Sequence, residues 1–287
     1  MASNAEQRDR LGRKVKPSAW ANARSNCVVK KTDSRVQLLK TAARNQVPRQ
    51  NVWARPVSHP LKNMNGLFRD RSEAGLVLAP KLREFAHRTD VMVLALPRGG
   101  VTVGFQLARK LHAPLDVLIV RKLAVPGREE IGMGAITTGG VEFWDRSTIA
   151  AYQVPPVRID DVVRRERAEL ERCERAFRGV RPFPLLHGKT VIIADDGIAT
   201  AFAMQAAVRA LELKRPRSIV IAAPVASNEA VQSLSREVAA VVTVVTSERP
   251  FTVGEYYRDF RDTTDEEIRT LLAKSPNGHT GPQTAAA

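Results

Sequence analysis

The sequence predicts an α/β protein built around a twisted parallel sheet, and three observations support that fold class. Short apolar runs alternate with amphipathic stretches of helical length between residues 70 and 274. The runs at 91–96 and 191–194 contain no polar residue, and the run at 218–224 contains only Ser218, which is typical of strands buried on both faces. Pro97 and Asp195 directly follow the first two runs, and Pro224 ends the third, as expected where a strand ends and a helix begins.

The elements follow one another in an order that predicts βαβ units. A first helix is expected after Asp70, with Ser72-Glu73 as its N-cap and first turn. The predicted strands of the sheet are residues 91–96, 116–120, 190–194, 218–224 and 240–246. The further predicted helices are residues 101–111, 160–178 and 204–213, one beginning near 228, and a short one at 264–273.

The segment between the second and third strands has a different pattern. Residues 124–133 are rich in Gly, Pro and charged residues, so we interpret them as a loop. Residues 134–144 are typical of a β-hairpin, with Gly139-Gly140 at its turn. We expect this small insertion, together with the C-terminal segment 251–260, to form a hood beside the parallel sheet.

Positive charge is concentrated at the N-terminus of this 287-residue chain. Residues 1–65 hold 14 Lys and Arg against 3 Asp and Glu, a net charge of +11 that leaves +4 of the total of +15 for the remainder. We expect this segment to be a disordered extension, or not to be translated if Met64 is the true start. A basic arm can also bind nucleic acid.

The rest of the chain divides into a domain at residues 66–274 and a polar tail at 275–287 that we expect to be disordered. No apolar run reaches the ~18 residues of a membrane helix, and the first residues lack the apolar region of a secretory signal. Cys27 and Cys173 are the only cysteines, too few and too distant for a disulfide framework or a metal site. We therefore expect a reducing cytoplasm and no membrane partner.

The most informative motif is a pair of acids at a strand end. Asp195 and Asp196 directly follow the apolar run 191–194, and Gly197 leads through small residues into the next helix. Ligands bind at the carboxyl ends of strands in parallel sheets. Paired carboxylates can hold ribose hydroxyls or a hydrated Mg²⁺, and a helix N-terminus offers N–H groups to phosphate. An acid pair that only complements the helix dipole is the alternative interpretation.

Three further loops are expected at the same sheet edge. Arg98-Gly99-Gly100 combines glycines, which allow close backbone approach, with an Arg that can pair with phosphate. Arg121-Lys122 and Pro224-Val225-Ala226 end two other predicted strands. Taken singly, the first is also typical of an ordinary turn and the second of a solvated strand end. Together the four loops predict one polar ligand site.

Several blocks of this sequence resemble the type I phosphoribosyltransferases, most closely the uncharacterised phosphoribosyltransferases of bacteria and archaea. The resemblance covers about residues 66–274. The blocks that carry it are Phe68-Arg69-Asp70-Arg71 with Glu73-Ala74-Gly75, residues 94–100, 113–122, Pro126-Gly127, Gly134-Ala135, residues 195–200 and Tyr257-Arg258-Asp259-Phe260.

The resemblance implies 5-phosphoribosyl 1-pyrophosphate (PRPP) as ligand, with Mg²⁺ held through PRPP and through Asp195 and Asp196. These two acids would bind the ribose hydroxyls and stabilise positive charge on the ring, which makes them the catalytic residues. The implied PRPP-binding residues are Arg98, Gly99, Gly100, Arg121, Lys122, Asp195, Asp196, Gly197, Ile198, Ala199, Thr200, Ala201, Phe202 and Ala203. The residues expected to bind the acceptor are Pro224, Val225 and Tyr257, and packing of the C-terminal segment on the sheet is the alternative interpretation of Tyr257.

The family pattern after Thr200 continues with Gly-x-Thr, where this sequence has Ala201, Phe202 and Ala203. A positive φ at 201 would cost Ala on the order of 1 kcal/mol against Gly, and Ala203 lacks a hydroxyl for phosphate. The resemblance nevertheless implies a phosphoribosyltransferase that acts on a nitrogenous acceptor and releases pyrophosphate, and such folds often form homodimers. The alternative is a regulatory protein that senses PRPP or phosphate without catalysis and binds nucleic acid through its basic arm.

Overall fold

The structure is a computed structural model that describes residues 66–275. The strands are β1 (Val91–Ala95), β2 (Leu115–Val117), β3 (Val120–Val125), β4 (Arg128–Thr137), β5 (Val141–Trp144), β6 (Thr190–Ala194), β7 (Ser218–Ser227) and β8 (Ala240–Ser247). The helices are α1 (Arg71–Leu78), α2 (Gly100–Leu111), α3 (Arg146–Ala151), α4 (Pro156–Arg178), α5 (Phe202–Glu212), α6 (Asn228–Leu234) and α7 (Asp265–Ala273), with 3₁₀ turns at Ala79–Phe85 and Val253–Tyr256.

Five strands form the parallel sheet that the sequence predicts, in the order β2-β1-β6-β7-β8. Every residue of β1 and β6 is buried, which explains why β1 is wholly apolar and β6 is apolar after Thr190. The two strands are neighbours, with Ala95 opposite Ala194. The loops that follow them therefore meet at one edge of the sheet.

Helices cover both faces of this sheet. Along β6 the side chains alternate, so that Ile192 packs in one core with Leu107 of α2 while Ile193 packs in the other with Met204 of α5. Residues from α1, α4 and α7 belong to the first core, and residues from α6 belong to the second. This alternation fixes the register of β6 and thus the position of the residues that follow it.

A second, antiparallel sheet of order β3-β4-β5 lies between β2 and α3 in the sequence. The interpretation of residues 124–133 as a loop was wrong, because β3 continues to Val125 and β4 starts at Arg128. The first three residues of β4 are exposed, so this half of the strand lacks the alternating apolar pattern that marks a half-buried strand. The hairpin turn at Gly139-Gly140 is confirmed, with φ values of 81° and 70°.

Some predicted boundaries shift when long-range contacts are present. Asp70, not Ser72, is the N-cap of α1, and its carboxylate accepts from the backbone N–H of Glu73 at 2.8 Å. β7 extends to Ser227, three residues beyond the predicted end at 224, because its end pairs with β8 and with Ile198. Within residues 66–275, no helix is both long and apolar enough to cross a membrane. The predictions for residues 1–65, including Met64, and for 276–287 lie outside the described residues.

Candidate functional site

The two acids lie at the end of β6, where the sheet edge turns into α5. Both are partly buried, and the backbone N–H of Asp196 donates to Oδ1 of Asp195 at 2.9 Å. Burial raises the pKa of Asp195 well above its ordinary value, and the charge of Asp196 raises it further. The pair is thus a partly desolvated group with a perturbed pKa, of the kind found at functional sites.

The loop after β1 packs directly against this pair. A side chain at Gly99 would place its Cβ 1.8 Å from Oδ2 of Asp196, and one at Gly100 would lie 2.9 Å from Cα of Asp195. The peptide bond between Pro97 and Arg98 is cis. Only glycine can occupy position 99 without displacing the acid, so the sequence prediction that these loops meet is confirmed at Gly99 and Gly100.

Arg71 is a site residue to which the sequence analysis assigned no role. Its Nε donates to Oδ2 of Asp196 at 2.7 Å, and its Nη1 donates to the Arg261 carbonyl at 2.6 Å. The guanidinium also lies 3.8 Å from the ring centroid of Phe260. The one signal in the sequence was the place of Arg71 in the Phe68-to-Arg71 block, because nothing local indicates a partner 125 residues away.

Two helices begin at the acid pair without a side-chain cap. The N-caps of α2 and α5 are Gly99 and Ala201, and neither accepts a hydrogen bond through its side chain. By contrast, side chains of Asp70, Ser227 and Thr264 cap α1, α6 and α7. α4 also lacks a side-chain cap, but it begins after Pro155 and follows α3, not a strand of the parallel sheet. Backbone N–H groups at the N-termini of α2 and α5 can therefore bind anions on either side of the acids.

The altered segment after Thr200 adopts an unstrained backbone. Ala201 has φ −72°, so the expected cost of Ala against Gly does not arise. Phe202 points toward the antiparallel sheet, where its ring would lie 2.9 Å from a Cβ at Gly132 and packs edge-to-face on Phe143 at 6.2 Å. Ala203 is exposed, and position 203 offers no hydroxyl.

Arg98 follows β1 as predicted, but its side chain is engaged with α7. Its Nη1 is paired with the carboxylate of Asp265 and lies 3.5 Å from the Thr263 carbonyl. Arg172 of α4 also contacts Asp265, at 3.3 Å. A pyrophosphate contact by Arg98 stays a prediction, and it requires the ligand to compete with Asp265.

Arg121 and Lys122 do not end a strand of the parallel sheet, contrary to the sequence prediction. β2 ends at Val117, and both residues belong to β3 of the antiparallel sheet. The sequence did not indicate that the chain passes from one sheet to the other, because residues 117–120 are all apolar and span the end of β2 and the start of β3. Arg121 donates to Oε2 of Glu166 in α4 at 2.7 Å, while Lys122 is exposed. A ligand contact by either residue remains a prediction.

Pro224, Val225 and Tyr257 are all buried, so acceptor binding by these residues stays a prediction that requires them to become accessible. Pro224 and Val225 are buried within β7, because the strand is longer than predicted. Tyr257 is 6% exposed, and its ring packs against Phe68 and Phe260. Its hydroxyl donates to the Asp196 carbonyl at 2.5 Å, and burial raises its pKa above the ordinary range. Tyr257 thus holds the backbone of Asp196 in place through this hydrogen bond.

A metal ion would find few protein ligands at this edge. Among residues 66–275, no group of three or more His, Cys, Asp or Glu side chains is arranged to hold one. Asp195 and Asp196 are adjacent oxygen donors of the type that Mg²⁺ prefers. These two acids fit a cation only if a bound ligand supplies further oxygen atoms.

Comparison with known proteins identifies one family. A model of the phosphoribosyl transferase domain matches residues 76–258. Two Mycobacterium tuberculosis proteins, each named "Putative phosphoribosyl transferase", are 37% identical over 209 residues, which is 73% of this chain and 47% of theirs. The chain therefore spans about half the length of the curated relatives that it matches.

A solved structure also matches most of the described chain. The crystal structure of TT1426 from Thermus thermophilus is 36% identical in sequence, and the alignment covers 71% of this chain and 97% of that one. The two superpose with a TM-score of 0.61. The fold of the described domain is therefore shared with that protein.

Proposed function

Because the chain belongs to the phosphoribosyl transferase domain family, we propose that it moves the 5-phosphoribosyl group of PRPP to a nitrogenous acceptor and releases pyrophosphate. One observation carries the proposal: the acid pair Asp195-Asp196 lies between two helix N-termini without side-chain caps. Such an arrangement suits a sugar with a phosphate group at each end. We propose PRPP and the nitrogenous acceptor as the substrates of the whole protein.

Each part of the site has a role in the proposed reaction. The hydroxyls of the ribose donate to Asp195 and Asp196, the 5-phosphate binds residues 197–203 at the start of α5, and pyrophosphate binds at Gly99-Gly100 and the start of α2. The bond from C1 to the pyrophosphate oxygen breaks, and a bond from the acceptor nitrogen to C1 forms. The carboxylates stabilise the positive charge that develops on the ring, so positioning and electrostatics dominate.

Mg²⁺ belongs to the same proposal. The cation would be shared between the oxygens of PRPP and the carboxylates of Asp195 and Asp196, since two acids alone are an incomplete ligand set. When bound, it would neutralise charge on the leaving pyrophosphate. The chain's own contribution is to hold the ribose and to offer backbone N–H groups to both phosphates.

Isothermal titration with PRPP and MgCl₂ tests the ligand. We expect the wild-type chain to bind PRPP, and we expect Asp195→Asn to weaken binding about 10- to 100-fold through loss of charge-assisted hydrogen bonds. Asp90→Asn is the matched control, because Asp90 is a partly buried acid just before β1, at the opposite edge of the sheet. Equal affinities for the two variants would contradict the proposed site.

Pyrophosphate release over a panel of purine, pyrimidine and amine acceptors tests turnover. We expect release with at least one acceptor. Binding of PRPP without release on any acceptor would favour the regulatory alternative, in which the basic segment binds nucleic acid. That alternative requires the full chain to bind nucleic acid and to lose this binding when residues 1–63 are deleted.

Two further parts of the proposal rest on the sequence. We place the protein in a reducing cytoplasm because of its two distant cysteines, and Cys173 is a buried free thiol. We also propose that the protein forms a homodimer, because the family that it resembles often does. Light scattering of the full chain measures it.

A further inference from the structure

We propose that Arg71 is a positioning residue that fixes the Asp196 carboxylate for ribose binding and couples it to the C-terminal segment 257–261. The inference rests on the proposed function, because the ribose of PRPP is the group that Asp196 would bind. Arg71 lies at the first position of α1 and would not contact the reacting atoms. Its effect would pass entirely through Asp196.

Arg71 is held on three sides. Nε donates to Asp196 at 2.7 Å, Nη1 donates to the Arg261 carbonyl at 2.6 Å, and the Phe260 ring covers the guanidinium at 3.8 Å. The side chains of Arg71 and Asp196 are only 10% and 14% exposed. Water screens this pair far less than a surface ion pair, so removal of one partner leaves a charge without compensation.

Asp196 is also constrained from its other sides. Gly99 leaves no space beside Oδ2, and the Tyr257 hydroxyl donates to the Asp196 carbonyl at 2.5 Å. Arg71 donates to Oδ2 and Gly99 packs against the same oxygen, which favours Oδ1 as the oxygen that accepts from a ribose hydroxyl. The orientation of that oxygen therefore depends on the guanidinium that holds its partner.

The same side chain links segments from the two ends of the described domain. Phe68 donates its N–H to the Tyr256 carbonyl, and the N–H of Arg258 donates to the Phe68 carbonyl, both at 2.9 Å. Arg71 continues this link by bonding the Arg261 carbonyl and Asp196 at once. Asp196 is thus fixed to the C-terminal segment 257–261 as well as to β6. Lysine would keep the charge but lacks the planar fork that makes both bonds and stacks on Phe260.

Titration calorimetry of Arg71→Gln and Arg71→Lys with two probes tests the proposal. We expect Arg71→Gln to weaken binding of Mg²⁺-PRPP about 10- to 100-fold, because a charge-assisted contact to the ribose is misplaced. Binding of inorganic pyrophosphate should stay within about twofold, since the starts of α2 and α5 are unchanged. Arg71→Lys should fall between wild type and Arg71→Gln. Arg88→Gln, which breaks the Arg88–Asp90 pair elsewhere, is the matched control.

A merely structural role for Arg71 gives a different result. In that case PRPP and pyrophosphate would weaken together, and this outcome overturns the proposal, as does unchanged PRPP binding. All titrations are made at a temperature where circular dichroism shows each variant folded.

A thermal unfolding cycle separates this inference from the proposed function. Arg71→Gln and Asp196→Asn should each lower Tm, and the double variant should lower it no further than the worse single variant. If wild type binds no PRPP, the proposed function fails, and the cycle alone decides whether Arg71 acts through Asp196. Additive Tm losses overturn the inference.

Discussion

The two sheets of the molecule end in acids of opposite character. Asp195 follows β6 of the parallel sheet, and its pKa is raised by burial and by Asp196. Asp145 follows β5 of the antiparallel sheet and caps α3; burial opposes ionisation there too, but hydrogen bonds from Ser147 and Thr148 lower its pKa. Hydrogen bonds stabilise the ionised form of Asp145, whereas burial and the neighbouring Asp196 destabilise the ionised form of Asp195. This difference supports the ligand site proposed at the parallel edge.

The sheets also differ in how deeply their strands are buried. The two central strands next to the site, β1 and β6, are wholly buried, whereas β4 begins with three exposed residues. The antiparallel sheet meets the site through Phe202, whose ring lies on Gly132. We therefore expect substitutions at the parallel edge to have large effects and those in the antiparallel sheet to have smaller ones.

The largest expected effect contrasts a glycine of each region. Gly99→Ala would place Cβ against Asp196 and Arg71, so it must displace the acid. We expect about a 100-fold loss of PRPP affinity, which titration calorimetry measures. Gly127→Ala, at the β3–β4 turn, meets no atom within 4 Å and bears only the cost of a φ of +78°, about 1 kcal/mol of stability. Similar affinity losses in both would contradict the comparison.

Phe202→Ala tests the contact between the two sheets. Loss of the ring leaves a gap between α5 and Gly132, and we expect the free energy of unfolding to fall by about 2 kcal/mol. Urea unfolding measures this loss. Phe202→Leu keeps most of the apolar volume and serves as the control, with a smaller expected loss. A neutral Phe202→Ala would show that the contact contributes nothing.

Asp195→Asn and Asp145→Asn should change stability with opposite signs at neutral pH. Because the folded pKa of Asp195 is raised, its favourable contribution is present at low pH and lost as pH rises through that pKa. The uncharged variant should therefore be more stable than wild type at about pH 7, on the order of 1 kcal/mol. Asp145 has a lowered pKa, so its contribution is lost as pH falls, and its variant should be less stable.

Thermal unfolding between about pH 4 and pH 8 resolves the two acids. The Asp195→Asn advantage should shrink toward the acid end of this range. The Asp145→Asn deficit should persist down to about pH 4 and shrink only below it, because the pKa of Asp145 is lowered from an ordinary value of 3.8. A destabilised Asp195→Asn at neutral pH would show that the Asp195 carboxylate is satisfied in the fold.

The smallest expected effect concerns the pair that joins β3 to α4. Arg121→Gln should cost at most about 1 kcal/mol in urea unfolding, since Arg121 is 38% exposed and Arg165 still pairs with the buried Glu166. Glu166→Gln, which removes the charge of the buried partner, is the comparison variant. If Arg121 also binds pyrophosphate, as the family resemblance implies, only Arg121→Gln should weaken PRPP binding, by about tenfold. Equal affinities would restrict Arg121 to holding β3 on α4.

The sequence predicted the parallel sheet well because its signals are local. Uninterrupted apolar runs indicate strands buried on both faces, and acids or glycines after them mark the strand ends. The juxtaposition of Gly99-Gly100 with Asp195-Asp196 followed from the rule that neighbouring parallel strands end at one edge. The antiparallel sheet was missed in part because exposed residues such as Arg128 carry no strand signal.

By itself, the sequence determined the fold class, the five parallel strands and the acid pair at the end of β6. Only the tertiary structure decided how that pair is held. The bond from Arg71 to Asp196, the burial of Tyr257 beneath it and the fit of Phe202 on Gly132 join residues far apart in the chain. No local propensity encodes such contacts, because they depend on which elements the packed core brings together.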